Sequence, residues 1–118
     1  MKHLEANLQR SVVTWLRYME NQGKLWFTHI GHGGGGRQRG AILKGLGLKP
    51  GVADLMILMP GGRVGFLELK APKGRVSESQ ETFRLAVDEF GGYYAIANSL
   101  EMSQDIVEMW LTPYQRHA

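Results

Sequence analysis

Hydrophobic residues recur every three or four positions near the start of the chain, at Leu4, Leu8, Val12, Trp15, Leu16 and Met19. This spacing places them on one side of a helix and predicts an amphipathic helix over residues 4–21, ending at Asn21 and Gly23. The aromatic and β-branched stretch that follows, KLWFTHI at residues 24–30, is typical of a strand. The chain therefore begins with a helix followed by a strand.

A glycine-rich segment comes next, GHGGGGRQRG at residues 31–40, with six glycines. Such a segment has few side chains to pack, so it predicts a mobile loop. Residues 41–48 are compatible with a short helix that stops at Gly47 or before Pro50. The glycine segment has no lysine followed by serine or threonine, so it does not match a Walker-type phosphate loop.

The second half of the chain alternates between strand and helix patterns. DLMILM at 54–59 and VGFLELK at 64–70 predict two strands, and the residues between them, PGGR at 60–63, predict a tight hairpin. Ser77 begins a helix with Gln80 at the capping-box position, and Gly91 and Gly92 end it. A strand at 93–98 and a helix from Leu100 to Leu111, ending before Pro113, complete an α/β core with a mixed sheet. We expect one domain over residues 1–118.

Composition narrows the function classes. The chain of 118 residues has no cysteine, which excludes disulfides, thiolate catalysis and zinc sites built on sulfur. No apolar run approaches the roughly 20 residues needed to cross a bilayer, and polar residues interrupt the N-terminal segment where a signal peptide would be apolar. We therefore expect a soluble, intracellular protein without a membrane partner.

The charge pattern is more informative than the net charge of +3. Basic residues cluster on either side of two acids, Asp54 and Glu68, which fits a polyanionic partner such as nucleic acid. The alternative is an ordinary solvated surface. The basic residues are Arg37, Arg39, Lys44 and Lys49 before Asp54, and Lys70, Lys73 and Arg75 after Glu68.

The candidate chemistry lies in GVAD at 51–54 and ELK at 68–70. Side chains alternate along a strand, so Glu68 and Lys70 share a face, and the hairpin brings Asp54 beside Glu68 or Leu69. Two carboxylates so close raise each other's pKa unless a cation joins them, and Mg²⁺ prefers oxygen ligands. Alternatively, Glu68 and Lys70 form a surface ion pair; the apolar context FLEL, where an unpaired acid is costly, argues against this.

These motifs resemble the VRR-NUC domain, the virus-type replication-repair nuclease branch of the PD-(D/E)XK nucleases. The resemblance covers roughly residues 4–110 and rests on GLGLKPGVADLMIL, FLELKAPKGRVSESQ and GGYYAIANS, with Ala53 where the superfamily has proline. It implies a restriction-endonuclease-like α/β fold. It also implies that Asp54, Glu68 and the backbone carbonyl of Leu69 bind the metal and that Lys70 is the catalytic lysine. Gln80 would belong to the catalytic site, and Glu5 would match the family's N-terminal acid.

The resemblance further implies the activity. We expect a Mg²⁺- or Mn²⁺-dependent endonuclease, without a nucleotide cofactor, that hydrolyses branched or duplex DNA. Stand-alone members look phage-derived and are expected to form homodimers, which suits a Holliday-junction resolvase in the cytoplasm of a bacterium or phage-infected host. The alternatives are a nonspecific or nicking endonuclease that needs a partner protein, and an inactive DNA-binding module.

Some residues have two interpretations. Gln80 is explained equally well as the cap of its own helix, and Glu5 as an acid favoured in a first helical turn. His29 and His32 lack a third ligand at a zinc-site spacing, so we interpret them as loop or substrate-contact residues. Arg37, Arg39, Lys44, Lys73 and Arg75 are the candidate DNA-binding residues, since arginine and lysine pair with phosphate. Trp15, Trp26 and Trp110 are expected in the core or at an interface.

Overall fold

A four-stranded mixed sheet has two helices on one face and one helix on the other. The structure, a computed structural model, describes residues 2–31 and 36–115, with side chains described at 4–31 and 40–112. The elements are α1 (Lys2–Asn21), β1 (Trp26–His29), α2 (Gly36–Gly45), β2 (Leu55–Met59), β3 (Arg63–Leu69), α3 (Glu78–Glu89), β4 (Tyr93–Ala97) and α4 (Leu100–Gln115).

The strands lie in the order β1-β2-β3-β4. β1 and β3 both run antiparallel to β2, whereas β4 runs parallel to β3 because α3 crosses over between them. A single helical turn at Pro60–Gly62 joins β2 to β3, with Gly61 and Gly62 at φ of 81° and 73°. The predicted hairpin and mixed sheet are confirmed.

The hydrophobic core lies between the sheet and the pair α1 and α4. Alternate residues of β2 and β3 face these helices and are fully or almost fully buried: Leu55, Ile57, Leu67 and Leu69. Val12 and Leu16 of α1 and Val107 of α4 pack against them. The predicted amphipathic helix is thus confirmed, and each buried leucine or isoleucine stabilises the fold by roughly 1.5–3 kcal/mol.

The opposite face of the sheet is only partly covered. α3 packs Phe83 edge-on against Phe66 of β3 and Tyr94 of β4, with ring centroids 5.0 and 6.0 Å apart. Trp26 and Leu58, which are partners across β1 and β2, remain 51% and 39% exposed. The adjacent strands β1 and β2 therefore present apolar side chains to solvent on this face.

Two boundary predictions were wrong. Residues 36–40, expected in the loop, form the first turns of α2. Arginine and glutamine are good helix formers and favour a helix here, although each glycine costs about 1 kcal/mol relative to alanine. Gly47, with φ of 102°, ends this helix, and the Leu48 N–H donates to the Leu43 carbonyl at 2.9 Å. Residues 32–35 lie outside the described part of the chain.

α4 continues past Pro113 to Gln115, although the sequence predicted an end at Leu111. A proline in a helix removes one N–H donor, a local cost. The preceding turn is held firmly, because Trp110 and Leu111 are buried against the sheet. Along the described residues, no helix combines the length and the apolar character that crossing a membrane requires.

Candidate active site

The two predicted acids meet at the open end of the β2–β3 hairpin. Asp54 immediately precedes β2, and the pairing of Leu55 with Leu67 brings it opposite Glu68. The Leu69 amide donates to Asp54 Oδ2 at 2.8 Å, which ties the two strands together at this end. The predicted convergence of Asp54, Glu68 and Lys70 is therefore present in the fold.

Glu68 is a buried acid, with only 5% of its surface exposed. Its Oε2 lies 3.6 Å from the Lys70 Nζ and accepts a hydrogen bond from Gln80 Nε2 at 2.9 Å. Burial, together with the negative charge of Asp54, raises the pKa of Glu68 to about 7, and Lys70 opposes part of this rise. The buried position argues against a simple surface ion pair.

Burial also raises the pKa of Asp54 above its usual value. The hydrogen bond from Leu69 and the nearby His29 and Lys70 oppose this rise, while Glu5 adds to it. Two acids thus share a partly buried site in which positive charge does not balance the negative charge. Such a site gains stability when a cation enters it.

The donors at this end fit a hard divalent cation, since they are oxygen atoms of carboxylates and the main chain. Within residues 4–31 and 40–112, no three acidic or histidine side chains converge on one point. An ion here would be held by Asp54 and Glu68, with the predicted Leu69 carbonyl and water completing its shell. This donor set suits Mg²⁺ or Mn²⁺, which keep several waters, better than a closed zinc site.

Gln80 makes the contacts that both interpretations of the sequence require, one to its own helix cap and one to Glu68. Its Oε1 accepts the Ser77 N–H at 2.9 Å, and the Ser77 hydroxyl accepts the Gln80 N–H, so the capping box is present. The other end of the same amide donates to Glu68. The start of α3 and the orientation of the buried acid are therefore coupled through one side chain.

Glu5 reaches the edge of the site from α1. Its Oε1 accepts the Ala71 N–H at 3.3 Å, and it lines a cleft of about 300 Å³ together with Asp54, Glu68 and Lys70. The fold therefore places the predicted N-terminal acid on the wall of the cleft that Asp54 and Glu68 also line, although Glu5 is 63 residues from Glu68 in the sequence.

His29 and Gln9 contribute to the site, and the sequence interpretation missed the role of both. His29 Nδ1 lies 2.8 Å from the Asp54 carbonyl oxygen, which also accepts the Ile30 N–H at 2.8 Å. Gln9 Nε2 of α1 lies 3.1 Å from the same ring nitrogen. The signal that reveals this arrangement is the register of β1 on β2, which places His29 beside Leu55.

Gly51 lets the chain before Asp54 touch the first turn of α3. Its φ is +85°, and a Cβ atom here would lie 2.2 Å from the Ser79 carbonyl oxygen and 2.7 Å from the Gln80 nitrogen. A side chain does not fit in that space, so glycine is required for both reasons. This contact holds Gln80 close to the carboxylates.

A second, larger cleft of about 500 Å³ reaches the acids from the side of α2 and α3. Asp54 and Glu68 line both clefts, so they lie where the two meet. Lys49 and Ser79 line the larger cleft and were absent from the predicted site. Lys49 belonged to the basic cluster in the sequence, but only the fold shows that it faces this cleft.

The other predicted DNA-binding residues lie around the site rather than in it. Lys44 is exposed on α2, and Lys73 and Arg75 are exposed in the segment between β3 and α3. The side chains of Arg37 and Arg39 lie outside the described residues, as does His32. Their predicted contacts with DNA remain predictions.

Two comparisons with known proteins, one with family models and one with solved structures, relate this chain to the same domain family. The family model of the VRR-NUC domain matches residues 3–101. A solved structure named VRR_NUC domain protein superposes with a TM-score of 0.73 at 15% identity, covering 92% of this chain and 88% of that chain. Another, named VRR_NUC domain, has a TM-score of 0.61 at 14% identity, covering 89% and 95%. No curated protein matches the chain.

Proposed function

This chain belongs to the VRR-NUC domain family, a nuclease family, and we propose that it is a Mg²⁺- or Mn²⁺-dependent DNA endonuclease. One observation carries the proposal: the buried Glu68 and the half-buried Asp54 share a single nearby lysine at the meeting point of two surface clefts. This excess of buried negative charge favours a cation at the place where a nucleic-acid strand has access.

Asp54, Glu68 and the Leu69 carbonyl would hold the metal ion, with Glu5 at the edge of the site. When bound, a divalent ion lowers the pKa of an attacking water and stabilises negative charge on a phosphate. The Leu69 amide orients Asp54, and Gln80 orients Glu68, so the two carboxylates are fixed before substrate arrives.

Lys70 supplies the positive charge of the reaction site. Its ammonium lies 3.6 Å from Glu68 Oε2, and its side chain is 17% exposed, so it faces the same cleft as the acids. From there it donates hydrogen bonds to a phosphate oxygen or to the attacking water, and it offsets the charge that grows on the phosphate. Loss of this amine therefore reduces the rate more than it reduces DNA binding.

We further propose that the preferred substrate is branched DNA and that two chains act as a symmetric homodimer on a four-way junction. The exposed pair Trp26 and Leu58 supports self-association, because exposed apolar surface of this kind is commonly buried at an interface. A twofold axis relates two active sites, as paired cuts across a junction require.

The test measures cleavage of labelled four-way junction, flap, single-stranded and linear duplex DNA with Mg²⁺, Mn²⁺ or EDTA. Wild type is compared with Lys70→Ala and with Arg84→Ala, a control that removes a positive charge from α3, where Arg84 pairs with Glu81 and Asp88. Sedimentation measures the size of the protein with and without junction DNA. We expect metal-dependent, symmetric junction cuts by wild type and Arg84→Ala, and none by Lys70→Ala.

Other outcomes separate the finer claims. Metal-dependent cutting of linear or single-stranded DNA without junction preference keeps the endonuclease and rejects the resolvase. A monomer on the junction rejects the homodimer. Equal DNA binding in EDTA with no cutting of any substrate favours an inactive binding module or a missing partner protein.

A further inference from the structure

The exposed flank of α1 carries a groove that begins beside the carboxylates. The groove is lined by Ala6, Gln9, Arg10, Val13, Thr14 and Arg17. Ala6 and Gln9 also line the smaller cleft, which holds Asp54, Glu68 and Lys70. One continuous surface therefore leads from the candidate active site along the helix to Arg17; we call it the α1 groove.

The charge of the α1 groove is positive. Arg10 and Arg17 are exposed and seven residues apart, so they project from the same side of the helix about 10 Å from each other. Arg10 Nη1 donates a hydrogen bond to Asn7 Oδ1 at 2.9 Å. The Arg10 guanidinium forms no ion pair with any of the described residues.

The two acids in the sequence of α1 are engaged elsewhere. Glu5 accepts the Ala71 N–H at 3.3 Å at the active site. Glu20 accepts the Phe27 N–H at 3.2 Å, where α1 meets β1. Neither carboxylate forms an ion pair with Arg10 or Arg17 among the described contacts, so the groove keeps its charge for an anionic partner.

We propose that the α1 groove binds the phosphate backbone of a duplex DNA arm that extends from the cleavage site. The inference rests on the proposed function, because the molecule in the cleft must be DNA for its continuation to reach Arg17. From Glu5 to Arg17 the helix spans about 18 Å, which corresponds to about five base pairs of duplex. Arginine suits this task, since its planar guanidinium pairs with two phosphate oxygens.

The first test measures the salt dependence of binding of a labelled 20-base-pair duplex in EDTA, with Lys70→Ala as background. Each lost phosphate contact reduces the slope of log K against log salt by about 0.9. We expect Arg10→Gln/Arg17→Gln to reduce the slope by about 1.8, each single variant by about half of that, and Arg84→Gln to leave it unchanged. An unchanged slope in the double variant, or an equal loss in Arg84→Gln, would overturn the proposal.

The second test separates the groove from the active site. The substrate in this test, used with Mn²⁺ and an otherwise wild-type chain, is bis(4-nitrophenyl) phosphate, a phosphodiester without a DNA arm that could extend along the α1 groove. We expect Arg10→Gln/Arg17→Gln to hydrolyse this probe at the wild-type rate and to cleave DNA with a higher KM and an unchanged kcat. Circular dichroism confirms that the variant is folded.

These tests distinguish failure of the proposed function from failure of the proposal about the α1 groove. If the wild type hydrolyses neither the probe nor DNA, the proposed function fails. If the wild type cleaves DNA and the double variant cleaves it with the same KM, the proposed function stands and the α1 groove does not bind the arm. A double variant that loses activity on the small probe as well also contradicts the proposal, because the arginines would then act at the active site.

Discussion

The two ends of the β2–β3 hairpin both hold buried or half-buried charge, but they treat it differently. At the turn, Arg63 donates from Nε to the Pro60 carbonyl at 3.1 Å and from Nη1 to the Trp110 carbonyl, and its guanidinium lies 5.8 Å from the centre of the Tyr93 ring. At the open end, Glu68 and Asp54 share Lys70, and burial raises the pKa of both acids.

The comparison shows two uses of charge: the charge at the turn is held by the fold, whereas the charges at the open end are suited to binding a ligand. Two carbonyls accept hydrogen bonds from Arg63 and the Tyr93 ring lies near its guanidinium, so contacts within the fold itself hold this charge. The two carboxylates repel each other, so their ionised form makes the metal-free fold less stable. A fold retains such an arrangement when a ligand that arrives later supplies the missing charge, which is why the open end is the candidate active site and the turn is not.

The largest effect should come from neutralising the open end. Glu68→Gln keeps the size of the side chain but removes a charged metal ligand, so we expect cleavage of the preferred DNA to fall at least about a thousandfold, about 4 kcal/mol in the barrier. Single-turnover cleavage measures the rate, and the melting temperature shows that the variant folds. A rate within tenfold of wild type would remove Glu68 from the active site.

Removing the charge of Arg63 at the turn should reduce the stability of the fold but leave the cleavage rate unchanged. Arg63→Met leaves the Pro60 and Trp110 carbonyls without this donor, and we expect it to lower the free energy of unfolding by about 3 kcal/mol. Below its melting temperature the variant should cleave DNA at the wild-type rate. The control Arg84→Met removes a partly exposed arginine that pairs with Glu81 and Asp88, and it should reduce the stability much less, because solvent screens such pairs. If Arg63→Met and Arg84→Met lower the free energy of unfolding equally, the half-buried charge at the turn does not stabilise the fold.

The stability of the metal-free protein should depend on pH through Glu68. Its pKa rises from 4.5 in the unfolded chain to about 7 in the fold, so the folded state favours the protonated acid. Its contribution is therefore full below about pH 4.5 and disappears as the pH rises through 7, a loss of about 3 kcal/mol. Urea unfolding in EDTA from pH 5 to pH 8 measures the loss.

Two variants and the addition of Mn²⁺ test whether Glu68 causes this pH dependence of stability. Glu68→Gln should flatten the decline, whereas Glu81→Gln, which changes an exposed acid, should leave it in place. Mn²⁺ should also flatten it, because a bound cation stabilises the ionised carboxylates. Parallel curves for wild type and Glu68→Gln would contradict the assignment of the raised pKa to this residue.

The smallest effect separates the two tasks of Gln80. Ser77→Ala removes the hydroxyl cap and should cost about 1 kcal/mol of stability with little change in metal affinity. Gln80→Leu removes the amide from Glu68 as well, and we expect metal affinity to fall about tenfold. Calorimetric titration with Mn²⁺ measures the affinity. Equal affinity in both variants would leave Gln80 as a helix cap alone.

Local patterns predicted most of the fold. The three- and four-residue spacing of α1, the strands around PGGR and the capping box at Ser77 are short-range signals, and each appears where it was predicted. β1 is shorter than its predicted range, because strand ends depend on the partner strand. The start of α2 and the end of α4 escaped prediction because glycine and proline suggest breaks that neighbouring residues overrode.

The residues of the candidate site also fall into two groups, those predictable from local sequence and those placed by tertiary packing. Asp54, Glu68 and Lys70 were predictable because a short hairpin joins them, and its register follows from the turn. His29, Gln9 and Lys49 were not, because each comes from a separate element whose position depends on tertiary packing. Ser77 and Gln80 lie between these cases: their mutual contact is local, whereas the contact of Gln80 with Glu68 depends on how Gly51 meets α3.

That meeting of Gly51 with the first turn of α3 also makes the geometry of the candidate site depend on the integrity of this helix. Because the same amide caps α3 and holds Glu68, we expect fraying of that turn to remove the contact between Gln80 and Glu68. The side chains at the site come from β1, the β2–β3 hairpin and α1 and α3, so a chain emerging from the ribosome or beginning to unfold holds only fragments of it. We therefore expect activity to appear only once the chain has folded, and to be lost when the first turn of α3 frays, before the rest of the structure unfolds.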